Sequence, residues 1–232
     1  MPENNETRVH FKEELDELES QALAGLDMVV TQLERVMEAL SQQDVELAAM
    51  VISDDDRIDG RYLEVHQGIL SLLARQAPVA TDLRLVAALL DVIKHVERMG
   101  DQCVNIAKTI PLTGHEPPVV PELLETLLEM GRHVRAMIEQ SKKAFASRNV
   151  ELAEDLVSRD DAVNRMHREA FRIALEAGED VDTREWAMMM LGVGRALERM
   201  GDNAVDIGEQ TAFIVTGLFR EFTDASHPAS VS

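Results

Sequence analysis

Two carboxylates four residues apart, with a third oxygen donor four further on, occur twice in this chain: Glu97, Asp101 and Asn105, then Glu198, Asp202 and Asp206. On a helix, side chains at that spacing project within a sector of about 80° and stand roughly 6 Å apart along the axis. Such a stripe of oxygen ligands suits hard cations such as Mg²⁺, Ca²⁺, Mn²⁺ or Fe³⁺ better than Zn²⁺. The surrounding stretches, ERMGDQCVNIA from Glu97 and ERMGDNAVDIG from Glu198, agree at most positions at an offset of 101. A unit written twice accounts for this.

A second set of carboxylates lies earlier in each copy. Asp44 to Ala48 matches Asn149 to Ala153 at an offset of 105, and the same register pairs Asp55 with Asp160 and Asp59 with Asn164. On a helical wheel Asp55 falls in the middle of the apolar stripe formed by Ala48, Val51, Ile58, Ile69 and Leu73. Asp160 does the same among Ala153, Leu156, Val163 and Phe171. A carboxylate facing a bundle core costs several kcal/mol, as an order of magnitude, unless it is neutralised, hydrogen-bonded or bound to a cation. Glu97 sits at the edge of its own stripe, Asp101 and Asn105 turn away from it, and Gly100 lies at its centre, where a missing side chain lets another helix approach. Gly201 repeats this. A shared metal site between two helices is therefore expected in each copy: Asp55, Asp59, Glu97, Asp101 and Asn105 in the first, Asp160, Asn164, Glu198, Asp202 and Asp206 in the second. The competing reading makes these ordinary flanking charges paired with Lys94, Arg98 or Arg199. A single Glu-x-x-x-Asp fits that reading; its duplication beside inward-facing Asp55 and Asp160 weighs against it.

The elements that must position these groups are helices. Apolar residues recur at helical spacing from Phe11 to about Leu40, with residues 1–8 expected to fray. A second helix is expected from Val45 to about Arg75, with Asp44 as its N-cap. A third should start near Thr81-Asp82 after Pro78 and end at about Thr109 before Pro111. Gly114 to Pro118 reads as a linker. Three further helices follow, at about 121–146, 150–177 and 182–218, and then a tail of disordered composition. The expected architecture is all-α: two tandem, sequence-similar three-helix bundles made of six long helices. The boundaries are 1–112 for the first bundle, 113–120 for the linker, 121–222 for the second bundle and 223–232 for the tail.

Composition agrees with this architecture. Hydrophobic residues make up 45% of the 232 residues but aromatics only 3%, which favours helices over strands. The formal net charge of −20, from 43 acidic and 23 basic side chains, repels nucleic acid and anionic membranes and attracts cations or basic surfaces. With one cysteine, Cys103, no internal disulfide is possible, and nothing points to an oxidising compartment. The start of the chain lacks the apolar core of a signal peptide and no run of 18 apolar residues exists, so a cytoplasmic protein is expected.

Other chemistry finds little support. No histidine has a Glu three residues before it, so the Glu-x-x-His ligation of di-iron bundles is absent. His66 reads as a boundary histidine, His95, His133 and His167 form no evident pairs, and Trp186 and the methionines read as packing. No phosphate-cradling glycine loop or nucleophile motif is present. Three functions remain: a regulatory interaction module with metal-bound carboxylates, a metal store or metal-dependent hydrolase, and a metal-free helical adaptor.

The doubled repeat, together with Pro78 to Arg84 (PVATDLR) and the ERMGDQCVNIA helix behind it, resembles the PhoU family of phosphate-transport regulatory proteins. The likeness runs from about residue 8 to 220. It implies no enzymatic activity and a cytoplasmic negative regulator of phosphate uptake and phosphate-starvation signalling. The implied partners are the ATPase subunit of the phosphate ABC transporter and the phosphate sensor histidine kinase, with a homodimer as the assembly and membrane contact only through partners. Family members carry (Glu/Asp)-x-x-x-Asp motifs that bind iron or zinc in some cases and manganese or magnesium in others. By that resemblance the ligands are Glu97/Asp101, Glu198/Asp202 and Asp55/Asp59. The fourth pair departs from the pattern, because Asn164 stands where the second Asp belongs, unless Asp206 compensates. Asp82-Leu83-Arg84 has no counterpart at Thr183-Arg184-Glu185.

Overall fold

The computed structural model describes residues 3–114, 116–178 and 180–222, so the expected tail at 223–232 lies outside the described residues. The order of elements is α1 (Glu3–Gln42), α2 (Val45–Asp54), α3 (Asp56–Arg75), α4 (Ala80–Thr109), a 3-10 turn (Ile110–Thr113), α5 (Pro121–Ser147), α6 (Val150–Leu175) and α7 (Val181–Thr216). Among the described residues there is no strand. α1 begins at Glu3, so it takes in residues expected to precede it. α4 begins at Ala80, which puts Thr81 and Asp82 inside its first turn.

The two copies turn their first corner in the same way. Gln43 and Arg148 each take a left-handed conformation with φ 55°. Asp44 Oδ1 then accepts the Leu47 N–H and Asn149 Oδ1 accepts the Leu152 N–H, both at 2.9 Å. Each cap contributes about 1 kcal/mol by satisfying a helix-end amide that would otherwise lack a partner.

One expected helix is broken. The stretch from Val45 to Arg75 divides at Asp55, whereas its copy α6 runs through Asp160 unbroken. The cause lies on α1. Gln32 Nε2 donates to the Val51 carbonyl at 3.3 Å and to Asp55 Oδ1 at 3.1 Å. Val51 O is the oxygen to which the Asp55 N–H would donate in an uninterrupted helix, and a side chain competing for that ladder breaks or kinks it. At the offset of 105 the counterpart of Gln32 is Met137, which has no donor to offer.

The bundles lie side by side on one continuous core. Leu26, Val29, Leu33 and Val36 of α1, Ile93, Val96 and Met99 of α4, and Leu127, Met130, Leu197 and Met200 of the second half are all buried in it. Fully burying one such aliphatic side chain contributes about 1.5–3 kcal/mol. α4 and α7 are antiparallel: Arg84, near the start of α4, lies over Gly217 at the end of α7, and His95 meets Asn203 further along. α1 and α5 are antiparallel too, linked by Glu19–Arg148 at 2.7 Å, Asp27–Lys142 at 2.6 Å and Glu34–Arg135 at 2.9 Å. Of these, Asp27–Lys142 and Glu34–Arg135 lie toward solvent, where such pairs are worth about 0.2–1 kcal/mol each and set register more than they add strength.

Gly100 and Gly201 sit where the inner aspartates meet the long helices. A Cβ on Gly100 would lie 2.9 Å from Asp55 Oδ1 and 3.2 Å from Ile58 Cγ2; one on Gly201 would lie 3.1 Å from Asp160 Oδ1. Gly192, on the same α7, faces open space. Gly100→Ala should therefore destabilise the protein by about 1–2 kcal/mol through overpacking, against the helix preference for alanine. Gly192→Ala should stabilise it by about 0.5–1 kcal/mol. Urea unfolding of the two variants checks both signs.

Candidate functional site

The first cluster forms where α2 and α3 meet α4. Asp55, at the helix break, is half-buried against Gly100, and its Oδ1 accepts the Gln32 amide. Burial raises the Asp55 acid above its ordinary range; the Gln32 hydrogen bond opposes this, and the charges of Asp59, Asp101 and Asp56 add to it. Glu97 is raised by burial first and then by Asp101 and Asp59. The structure thus brings Asp55, Asp59, Glu97 and Asp101 into one mutually repelling group, with Asp59 and Asp101 at its exposed rim. Asn105 does not join it: the side chain is exposed and makes no hydrogen bond. None of the four carboxylates has an ion pair within 4.0 Å among the described residues, so the reading of ordinary paired surface charges does not hold here.

The second cluster forms between α6 and α7. Asp160 is only 8% exposed, and its acid is pushed up to about 6 by burial, with the Asp202 charge next in weight. Asn164 Nδ2 donates to Asp160 Oδ2 at 2.7 Å and holds the value below what burial alone would give. Asp160 Oδ1 is buried with no hydrogen-bond partner. Asp202 is raised by burial and then by Glu198 and Asp206, against Arg195 and Arg199. Glu198 is paired with Arg195 rather than Arg199.

The clusters differ by a compensated exchange. In the first, the inner Asp receives its amide donor from Gln32 on α1, and the residue four further on is the repelling Asp59. In the second, Met137 stands in the place of Gln32, with its Cε 3.6 Å from a Cβ on Gly201, and the donor is Asn164 on the same helix. Asn164 therefore acts in this structure as a hydrogen-bond donor to a carboxylate.

Three residues not singled out as site members stand beside these groups. His95, which forms no evident pair with another histidine in the sequence, is buried on α4 and crosses to the second bundle. Its Nδ1 lies 2.7 Å from Asn203 Oδ1 and 3.5 Å from Asp206 Oδ2. Because Asn203 Nδ2 donates to Arg199 O, its oxygen faces the ring and Nδ1 carries the proton. Glu209 is raised by burial and by Asp206, and accepts the Phe222 N–H at 2.7 Å. Its position three residues after Asp206 on one helix was the available signal. Gln32 gave none, since its partners lie on another helix.

The donors are hard oxygens, the acids of Asp55, Glu97, Asp160 and Asp202 are raised, and Asp160 Oδ1 is buried without a hydrogen-bond partner. This chemistry fits a hard cation. As the side chains stand, no three His, Cys, Asp or Glu groups among the described residues are arranged to hold a metal ion. A metal ion held by either cluster would therefore require side-chain rotation, and Asp59, Asp101 and Asp202 are exposed.

Fold and clusters together define a helical repeat protein that presents acidic groups along the seams of two bundles. No helix among the described residues is long and apolar enough to cross a membrane. The chain belongs to the PhoU family, whose domain is matched twice, at residues 25–110 and 127–211. It is 33% identical over 220 residues to a phosphate-specific transport system accessory protein PhoU homolog of Clostridium acetobutylicum, covering 94% of this chain and 100% of that one. A PhoU homolog of Mycobacterium leprae is 31% identical over 92% of this chain and 96% of its own. Among solved structures, the phosphate transport system regulatory protein PhoU of Streptococcus pneumoniae superposes with a TM-score of 0.84 at 25% identity, over 91% of this chain and 99% of that one. PhoU of Pseudomonas aeruginosa gives 0.83 at 28%, over 90% and 100%.

The raised acid of Asp160 sets a pH dependence. An acid of about 6 in the folded chain against 3.8 in the unfolded one means that the unfolded chain ionises first. Stability then falls as pH climbs from about 4 to about 6, and the loss persists above that. In metal-free protein, Asp160→Asn should be more stable than the parent at pH 7.5 by on the order of 2 kcal/mol, and equal to it below pH 4. Denaturant titrations in chelator at the two pH values measure this; equal stability at pH 7.5 would remove the case for an uncompensated carboxylate.

Proposed function

We propose that this protein is a non-enzymatic, cytoplasmic negative regulator of phosphate uptake and of phosphate-starvation signalling. It acts by contact with the ATPase subunit of a phosphate ABC transporter and with the phosphate sensor histidine kinase, as a homodimer, and represses the response when phosphate is plentiful. The observation that carries this reading is the match to PhoU accessory and regulatory proteins over more than nine-tenths of the chain, through both bundles. The surface supports it: a chain of net charge −20 meets basic partner surfaces far more readily than nucleic acid.

The carboxylates that would hold a metal ion are Asp55, Asp59, Glu97 and Asp101 in the first cluster and Asp160, Glu198, Asp202 and Asp206 in the second. A bound ion would cancel their mutual repulsion and tie α2–α3 to α4 and α6 to α7. The protein's own part is to keep the inner aspartates oriented, through Gln32 and Asn164, and to press them against Gly100 and Gly201. The metal is iron, manganese, magnesium or zinc. A metal store or metal-dependent hydrolase is the alternative use of the same groups, and no observation favours it over regulation.

Affinity capture of the tagged chain from its native cells, grown with abundant and with scarce phosphate, should recover the transporter ATPase or the kinase in amounts that change with phosphate. Recovering neither under mild crosslinking would overturn the regulatory reading. The double variant Glu97→Gln/Asp101→Asn should lower bound metal and disturb repression while unfolding as the parent does. Unchanged metal content in that variant would remove the ligand assignment.

A further inference from the structure

α4 and α7 cross antiparallel, so each begins beside the chain that leaves the other. Arg84, in the second turn of α4, lies over Gly217, where α7 ends: its Nη1 would stand 2.6 Å from a Cβ there. At the other end of the crossing, the first turns of α7 face the chain that leaves α4, and a cavity of about 300 Å³ opens between them. Trp186 and Met189 of α7 meet Leu112, Pro117 and Pro118 across it. Its charged lining is Glu116, Asp182 and Glu185, exposed carboxylates with no ion pair within 4.0 Å among the described residues.

The counterpart of this cavity shows what it lacks. The offset of 101 pairs Glu185 with Arg84, Asp182 with Thr81, Trp186 with Leu85 and Met189 with Ala88. At one end of the crossing the chain supplies its own guanidinium; at the other it sets a carboxylate beside an open space. Trp186 makes a second demand. The side chain is only 4% exposed, and its indole N–H has no hydrogen-bond partner among the described residues. That nitrogen is not one of the side-chain atoms sealed from solvent without a partner, so the donor opens into the cavity that Trp186 lines. The positive end of α7 is already offset, because Asp180 accepts the Thr183 N–H at 2.8 Å and Asp182 lies in the first turn. The cavity therefore calls for a cation and a neutral acceptor together.

We infer that this cavity docks a basic, apolar segment of a partner protein, with an arginine taken up by Glu116, Asp182 and Glu185. A main-chain carbonyl next to that arginine accepts from the Trp186 N–H, and an apolar side chain flanking it covers Leu112 and Met189. A guanidinium suits the rim because its planar fork donates to more than one carboxylate at once. A free amino acid is a poor occupant, since its own carboxylate meets the same acids, and nucleic acid or an anionic lipid is repelled in the same way. The start of α4 offers no such site, because Arg84 stands where α7 has Glu185. The inference rests on the reading that this chain works by protein contact, and it gives that contact a place.

Trp186 is the lone tryptophan of the chain, so its fluorescence reads the cavity directly. The full-length chain is titrated with a capped peptide in which one arginine stands between two leucines. The emission should change saturably, with an affinity that falls as salt rises, and the same peptide with glutamate for arginine should not bind. Glu185→Gln, at an exposed position, should weaken binding about fivefold, the loss of one ion pair. Glu185→Arg, which copies Arg84, should abolish it while the chain keeps its helical circular dichroism. No saturable change at millimolar peptide, equal binding of the glutamate peptide, or unchanged affinity in Glu185→Arg would each overturn the inference. A parent that binds no peptide but loses its dimer on Glu185→Arg would give the cavity to a second copy of the chain, and overturn it too. Phosphate-dependent capture of the ATPase or the kinase that Glu185→Arg leaves unchanged would overturn the inference while the regulatory reading stands.

Discussion

Everything in this molecule is arranged around an aspartate pressed against a glycine. Asp55 against Gly100, and Asp160 against Gly201, set a carboxylate oxygen 2.9 Å and 3.1 Å from where a Cβ would be on the neighbouring long helix. A Cβ at either glycine would crowd that oxygen, and the close approach places an acid between two packed helices rather than on their outer faces. The energetic consequence is that both aspartates are weaker acids than a free carboxyl, with burial as the leading cause in each. A bundle built for stability alone would put an aliphatic side chain there, because isolated buried carboxylates cost more than they return.

The two copies solve the resulting problem with the same kind of group drawn from different places. A side-chain amide donates to each inner aspartate: Gln32 from across the bundle, Asn164 from one turn along the same helix. The choice has structural consequences. Because Gln32 also takes the Val51 carbonyl, the first copy loses the continuity of its second helix at Asp55, and a cavity opens beside the break. Because Asn164 bonds locally, α6 stays continuous, and Asp160 is left with one oxygen unserved. Two sequences that share a motif letter for letter therefore hold chemically different sites.

The bundles are not independent. α4 and α7, which carry the repeated motif, cross each other antiparallel, and His95 of the first reaches Asn203 and Asp206 of the second. The second cluster thus touches a residue of the first half, while among the described residues the first cluster has no such visitor: the counterpart of His95 at the offset of 101 is Ala196. Charge reinforces the division of labour. The acidic groups gather at the seams, whereas the cross-bundle pairs of α1 and α5 lie along their own antiparallel contact.

The sequence by itself determined the elements and their duplication. Helical periodicity, the cap at Asp44, the stop at Pro111 and the offsets of 101 and 105 are local properties of the chain, and local properties survive without knowledge of what packs where. It also determined that Asp55 and Asp160 face inward, since a helical wheel needs only one helix. Tertiary structure alone decided what those aspartates meet. Gln32, Met137 and His95 carry no local signal of their partners, because each acts across a helix–helix interface whose rotation and register no single helix contains. The break at Asp55 belongs to the same class: the stretch is helical by every local measure, and it is interrupted by a hydrogen bond from a residue on another helix.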